Sequence, residues 1–475
     1  MAARSRVLAR LFALGAVSSV VLSASLSVGC TLDNAGVDPP AATLNFPTAM
    51  ALVPGASGQA RYLLVANSNY TIRYNTGTLA AFDLDLIHTN LALCTPGAPC
   101  TLGTEDDPAG PPESGAPLER YVVSEVGIGS HTSDLVLAPR GAGYRIYAGV
   151  RGERSLSFVD LDAATGALEC EQQGRFQGDP VPRCGEAYRT GDDRIASARR
   201  IELRGDPVAV GSGSLESLGA PAGSGNFVLM ALRGGQIALF LDDVTPGEGV
   251  DPPQLVHIAE GFPDQLVAIE IQESTGLAWA ASTTSRELAR AGVLLDGERS
   301  FVYDAGRRRL GAVDDGADLR ALRFHPSLPN RLLALTRRPE AIAALDLDRS
   351  GLTPSDVGLW RSFEVGAGPS KLELATIDGR TYAFATCFDA RKVFVIDVDA
   401  GELVAVAGGF SGPFALAVDP ARVGLADPTR RGWLYVLDFS TSVLRVIDLS
   451  RLGSRDELEI TATVGPVRPA TQFGR

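Results

Sequence analysis

The chain has almost no lysine. Lys371 and Lys392 are the only two in 475 residues, and arginine supplies the rest of its positive charge. We read that bias as the mark of a GC-rich bacterial coding sequence and not as function. Against 56 acidic residues the 43 basic ones leave a formal charge of −13. A field of that sign repels phosphate backbones and anionic lipid headgroups, so no nucleic-acid partner is expected. Histidine is as scarce: His88, His131, His257 and His325 are all there is. Local catalytic signatures are missing too. There is no Gly-x-Ser-x-Gly turn, no His-Glu-x-x-His and no glycine-rich loop ending in Lys-Ser or Lys-Thr. Long apolar runs are likewise absent. The uncharged stretch 11–26 has 16 residues, short of the roughly 20 that a membrane-spanning helix needs.

What is present begins with an address. Arg4, Arg6 and Arg10 precede that apolar stretch, and Ser27-Val28-Gly29-Cys30 follow it. Charge, length and small residues make this a secretory signal. A cysteine at the cut resembles a bacterial lipoprotein signal, in which Cys30 takes the lipid, although the leucine usual three places earlier is Ser27 here. Alternatives are an ordinary signal peptide cut nearby and a short anchor. The resemblance implies residues 1–29 as signal, 30–43 as a flexible tether and 44–475 as one exported domain held to the membrane by its lipid alone. Thr31 in place of Asp favours the outer membrane of a Gram-negative cell by the sorting rule of enteric bacteria. Loss of three arginines with the signal takes the formal charge to about −16.

Export places the remaining cysteines in an oxidising compartment. Cys94 and Cys100 flank a Pro-Gly-Ala-Pro turn, and Cys170 and Cys184 flank another loop. Two local disulfides are the favoured reading, with other pairings or free thiols open. Neither spacing suits a metal, and no histidine lies close by. Cys387, inside an apolar strand phrase, reads as a buried inert thiol.

The 52 glycines and 29 prolines suit many turns between short strands better than long helices. A unit recurs: an opening turn running into an apolar strand, a strand of the Arg-Tyr-Leu-Leu-Val-Ala kind, and a strand ending in Asp. Openings fall at Pro47, His131, Pro207, Pro263, Asp318, Pro369 and Pro413, with steps that shrink from 84 to 44 residues. The shortest matches the ~40–45 residues of a four-stranded propeller blade. Long loop insertions near 87–120 and 168–204 account for the larger steps. The fourth copy is irregular between Thr283 and Gly292. Strands such as Val443-Leu444-Arg445-Val446-Ile447 are apolar on both faces, as a sheet packed between two neighbours must be, whereas a sandwich strand alternates. The expected fold is all-β: a β-propeller of seven blades of four antiparallel strands. Its closing strand should come from Leu458–Val464 or from the region of Leu44.

Leu434-Tyr435-Val436 followed by Val446-Ile447-Asp448, and Tyr382-Ala383-Phe384 followed by Val395-Ile396-Asp397, resemble the YVTN-type β-propeller repeat, as does Leu64-Val65-Ala66-Asn67. The resemblance implies an exported binding protein and has seven-bladed lactonase-like enzymes among its relatives; it does not settle chemistry.

In such a ring the strand openings rim a central channel. Thr48, His131, Asp134, Asp264, Asp318, Arg320 and Lys371 could converge there from different blades, against the plainer reading that they are solvated turn residues. His257 reads as a strand-face residue and His325 as a turn residue. Asp346-x-Asp348 with Gly351 is a weak likeness to a calcium loop, because position twelve is Val357 and Asp-x-Asp recurs at strand ends. Arg204-Gly205-Asp206 reads as chance in a chain this rich in Arg, Gly and Asp, and bacterial export weakens the glycosylation reading of the sequon Asn69-Tyr70-Thr71. The expectation is a lipid-anchored envelope propeller acting as a non-enzymatic binding scaffold for a protein or glycan, without cofactor or metal. The alternative is a lactonase-like or other hydrolase with its site at the channel mouth.

Overall fold

Apolar runs of six to eight residues, cut by glycine and turn residues, pair with their neighbours in sequence because two-residue and short turns favour antiparallel hairpins. In the computed structural model that pairing yields six sheets, one of them the eight-stranded union of two blades. The structure describes residues 37–95, 100–110, 117–170, 181–191, 202–243, 252–296, 299–310, 318–350, 356–453 and 457–468. It divides into the segment 1–37, nearly all outside the described residues, and the body 38–475. Cys30 and the expected signal therefore lie outside them.

Innermost strands run Pro47–Pro54, Thr132–Arg140, Pro207–Ser214, Leu266–Gln272, Leu319–His325, Pro369–Ile377 and Pro413–Val423. Each opens a four-stranded antiparallel blade, and the fourth and fifth blades join at their outer edges. Each innermost strand packs on those of the blades before and after it, and the seventh packs on the first. The body is a closed seven-bladed β-propeller. Both faces of each blade are buried, as the unbroken apolar runs require: Leu63, Leu64, Val65 and Ala66 of the second strand of blade 1 are fully inaccessible.

Two features of the repeat are structural. The Asp that ends a third strand faces the start of the second, as in Arg145↔Asp160, Tyr382↔Asp397 and Trp433↔Asp448. Asp346 belongs to this set and pairs with Arg349 at 3.3 Å, while Asp348 accepts from Asn330 at 2.7 Å. Those carboxylates are committed to the blade; the rest of the calcium-like loop, 351–355, lies outside the described residues. Asn69 of the sequon is buried, its amide held by Tyr74 and Ser130.

Several sequence expectations shift. The fourth blade's third and fourth strands are Glu287–Asp296 and Arg299–Leu310, so the stretch read as irregular is strand from Glu287 onward and a bend before it. Within the first insertion, Leu84–Leu91 is a helix capped by Asp83, whose carboxylate accepts from Leu86 N at 2.9 Å. Residues 38–43, expected as tether, already pack on the ring. Asp38 takes hydrogen bonds from Arg183 and Asn75, and Ala42 N donates to Glu125 at 2.7 Å.

Ring closure uses part of the expected stretch Leu458–Val464, but within its own blade. All four antiparallel strands of blade 7 come from the C-terminal end of the chain, the last being Ala462–Val464, and those of blade 1 from its own stretch. Among the described residues no antiparallel strand is exchanged between the first and last blades. Instead the first insertion reaches across, and Thr101–Leu102 pairs in parallel with Thr463 and Val464. The bond Cys94–Cys100 ties that segment to the helix. Similar parallel contacts join Gly127 to Arg183, beside the bond Cys170–Cys184, and Ala407 to Leu458. Covered outer edges leave fewer free strands for unwanted pairing.

A polar clasp completes the same junction. Asp419 of blade 7 accepts from Ala60 N of blade 1 at 3.0 Å and from Arg422 at 3.3 Å. Arg422 goes on to Asp85 at 2.8 Å and to the carbonyl of Ala60. Asp419 is 1% exposed, so its loss leaves the buried amide of Ala60 without an acceptor and strips buried Arg422 of one of its two carboxylates. Asp419→Ala is expected to cost about 3–5 kcal/mol in urea unfolding, whereas Arg61→Ala, at a pair one-third exposed, should cost under about 1 kcal/mol. Equal losses would remove the clasp from the account of closure.

Candidate functional site

Inner strands carry a bulge near their start. Register shifts lie between Pro47 and Ala49, Thr132 and Asp134, Pro207 and Ala209, Leu266 and Ala268, Leu319 and Ala321, and Pro369 and Lys371. A bulge frees one residue from the ladder and re-aims it. The freed residues, with Phe414 from the seventh blade, are Thr48, Ser133, Val208, Val267, Arg320 and Ser370. All seven line one cavity of about 470 Å³ at the channel mouth. That volume suits a small ligand.

In six blades the residue at or just past the end of the second strand forms the rim above: Ser68, Arg151, Arg233, Arg337, Phe388 and Phe439 line the same cavity, with Tyr70. The mouth therefore has two halves. Blades 7 and 1, with Phe388 of blade 6, supply aromatics. Phe439 is their hub, with ring centroids at 5.0 Å from Phe46, 5.7 Å from Tyr70 and 5.8 Å from Phe414. Blades 2, 3 and 5 supply Arg151, Arg233, Arg320 and Arg337, and Lys371 lies below. Among the described lining residues five are cationic and none is a carboxylate.

Of the seven residues expected at the mouth, Thr48, His131, Arg320 and Lys371 line the cavity. His131 stands one place before its strand, where blade 1 has Phe46 and not Pro47. Both adopt left-handed backbone, φ 60° and 49°. His131 N donates to Ser68 O at 2.7 Å, and burial, then Arg151, holds its ring below the ordinary histidine pKa. Asp134 lies beneath, paired with Lys371 at 3.2 Å. Asp318 sits behind Arg320 at 2.6 Å. Asp264 is an exposed turn residue outside the lining, because the strand of blade 4 starts three residues beyond Pro263, at Leu266; its carbonyl accepts from Ser282 and Thr284.

Sequence reasoning passed over the aromatic half and the rim arginines. Their signal was the residue just past each Tyr-Val-type strand. Arg-Gly-Asp at 204–206 finds its place here as well: Asp206 pairs with Arg151 at 3.4 Å.

Deeper in the channel, Arg323 of blade 5 pairs with Glu270 of blade 4 at 3.1 Å and Glu373 of blade 6 at 3.2 Å. Water reaches a third of the Arg323 side chain, yet protein encircles it. Desolvation pushes Glu270 up to about 7; Arg323 opposes that shift, and Glu373 and Asp134 add to it. Lys371 faces the same cluster through Asp134. A carboxyl raised in the folded state holds its proton more tightly there, so its contribution to stability falls as pH rises from the ordinary carboxylate range to about 7 and is flat above. Glu125, also raised to about 7 by burial, acts with the same sign. Glu270→Gln should flatten part of the stability loss measured by melting between about pH 4.5 and 7, leaving the share due to Glu125. An unchanged pH slope would contradict the assignment.

Among the described residues no three of His, Cys, Asp and Glu converge as a metal would require, and no helix is long and apolar enough to cross a membrane. No protein-family model matches the chain, and no curated protein matches it. Solved structures do. A periplasmic gluconolactonase of Pseudomonas aeruginosa is similar at 12% identity and TM-score 0.46, over 75% of this chain and 83% of that one. The β-propeller domain of Cps50 (Swd1) from Myceliophteria thermophila is similar at 14% identity and TM-score 0.46, over 85% and 96%. The C-terminal WD40 domain of Sif2 is similar at 10% identity and TM-score 0.45, over 91% and 89%.

Proposed function

We propose that this chain is an exported, lipid-anchored propeller whose channel mouth binds a small anionic ligand with a ring-shaped or apolar face. The observation that carries this reading is the two-sided lining, aromatic on one side and cationic on the other. Rings offer a flat, low-entropy surface to a sugar or aromatic face, and guanidinium groups take carboxylate or phosphate by charge-assisted hydrogen bonds. The binding role needs no reacting group. Attachment through Cys30 rests on the signal sequence, and the two disulfides suit an oxidising compartment.

A second reading uses His131. A neutral imidazole beside a cation-lined pocket has the makings of a general base. Water could add to the carbonyl of a sugar lactone with its proton passing to His131; the ring C–O bond would then break and the alkoxide leaving group take that proton back, giving the hydroxy acid. In this reading Arg320 or Lys371 steadies the developing oxyanion.

Calorimetric titration with uronic acids and aromatic carboxylates is the test of the mouth. Binding should weaken by about tenfold or more in Phe439→Ala, the hub of the aromatic half. No heat with any anion, or affinity unmoved in Phe439→Ala, would remove the mouth as the site. Lactone turnover lost in His131→Ala while anion binding survives would replace the first reading by the second.

The anchor is checked separately. Palmitate label should enter the wild-type chain in cells and not Cys30→Ser; equal labelling of both would refute attachment at Cys30.

A further inference from the structure

The charges behind the mouth count as much as those facing it. Arg151, Arg320, Arg337 and Lys371 each hold a carboxylate at their back: Asp206 at 3.4 Å, Asp318 at 2.6 Å, Asp389 at 2.8 Å and Asp134 at 3.2 Å. Arg233 differs. Its side chain is exposed and makes no ion pair or hydrogen bond among the described residues. Five cations with four carboxylates leave the mouth one positive charge in excess, and that charge sits on Arg233.

The bridge below is itself an exception built into the repeat. The position two residues after the strand opening is alanine in five blades: Ala49, Ala209, Ala268, Ala321 and Ala415. It is Asp134 in blade 2 and Lys371 in blade 6. These two blades are not neighbours, since blades 7 and 1 stand between them, so their pair crosses the channel axis. It floors the cavity, and the second oxygen of Asp134 accepts from Val210 N at 3.3 Å, which fixes the carboxylate. Lys371 thus reaches the mouth already half-neutralised.

We propose that the mouth selects a monoanion, a single carboxylate attached to a ring, with Arg233 as its anchor and the Asp134–Lys371 floor rejecting dianions such as phosphate monoesters. The inference rests on the reading of the mouth as an anion site. A dianion would bring a second charge with no free cation to meet it. A carboxylate needs one fork, and Arg233 has its donors unspent.

Titration at about pH 8, where a phosphate monoester carries close to two charges, compares phenylacetate with phenyl phosphate and glucuronate with glucose 6-phosphate. The wild-type protein should bind the carboxylate of each pair more tightly. Arg233→Ala should weaken carboxylate binding by about tenfold or more, the worth of a charge-assisted hydrogen bond. Asp134→Asn, which keeps an acceptor for Val210 N, should move preference toward the phosphate by about tenfold. Asp389→Asn frees Arg337 at an exposed pair and should shift it the same way, and it serves if Asp134→Asn does not fold. Preference for phosphate in the wild-type protein, or ratios unmoved by the variant that folds, would overturn the inference while leaving the anion site standing. Binding of no anion at all would instead overturn the reading beneath it.

Discussion

At six of the seven junctions the two blades are consecutive in the chain; at the seventh they are the last blade and the first. A ring of blades is stable only if every blade is covered on both faces, so this one junction carries a burden that the others share with the covalent chain. The protein meets it at three depths. Inner strands pack directly. The Asp419–Arg422 clasp joins buried backbone of blade 1 to blade 7. At the outer edge the segment carrying Cys100 adds a parallel strand, secured by its disulfide. His88, on the helix of the same insertion, hydrogen-bonds Tyr435 at 2.7 Å, and its burial drives its pKa down to about 3, so the contact stays uncharged over the working range. The mouth lies on the axis of this ring, and its geometry is fixed only while the ring is closed.

Blade number and strand order were legible because burial on both faces forces apolar residues into consecutive positions, in runs of strand length cut by turn residues. Leu434 to Leu437 is one such run. Openings were legible to within one to three residues. His131 and Asp318 stand one place before Thr132 and Leu319, and Pro263 three places before Leu266, because the marker is the bulge inside the strand and not the turn residue ahead of it. The helix Leu84–Leu91 was missed because its apolar residues follow an apolar strand without a break, and only the spacing of Leu84, Ile87 and Leu91 distinguished it. Closure by a parallel contact was not legible at all: two residues, Thr101 and Leu102, carry no periodicity.

The candidate site was half legible for a related reason. In a repeat protein the scaffold is what the copies share and the site is where they differ. The openings are one set of such differences, and they include Thr48, His131, Arg320 and Lys371. The second set lies at the ends of the second strands, where Ser68, Arg151, Arg233, Arg337, Phe388 and Phe439 occupy one position in six of the seven blades. Asp264 misled because a carboxylate beside a proline resembles an opening, though its strand begins later.

A cationic mouth on a chain of formal charge −13 raises the question of how an anion reaches it. Screening at physiological salt confines surface charge to about 8 Å, so the acidic exterior repels a ligand only on close approach. Inside the mouth the nearer charges win, because two charges a few ångströms apart interact more strongly where protein displaces water. The arrangement therefore gives up long-range steering and places discrimination in the last few ångströms. The carboxylates behind Arg151, Arg320, Arg337 and Lys371 serve that end: they hold the cations in place without the ligand and keep the site from drawing in every anion alike. An acidic shell around a narrowly positive mouth is a device for selectivity more than for capture speed.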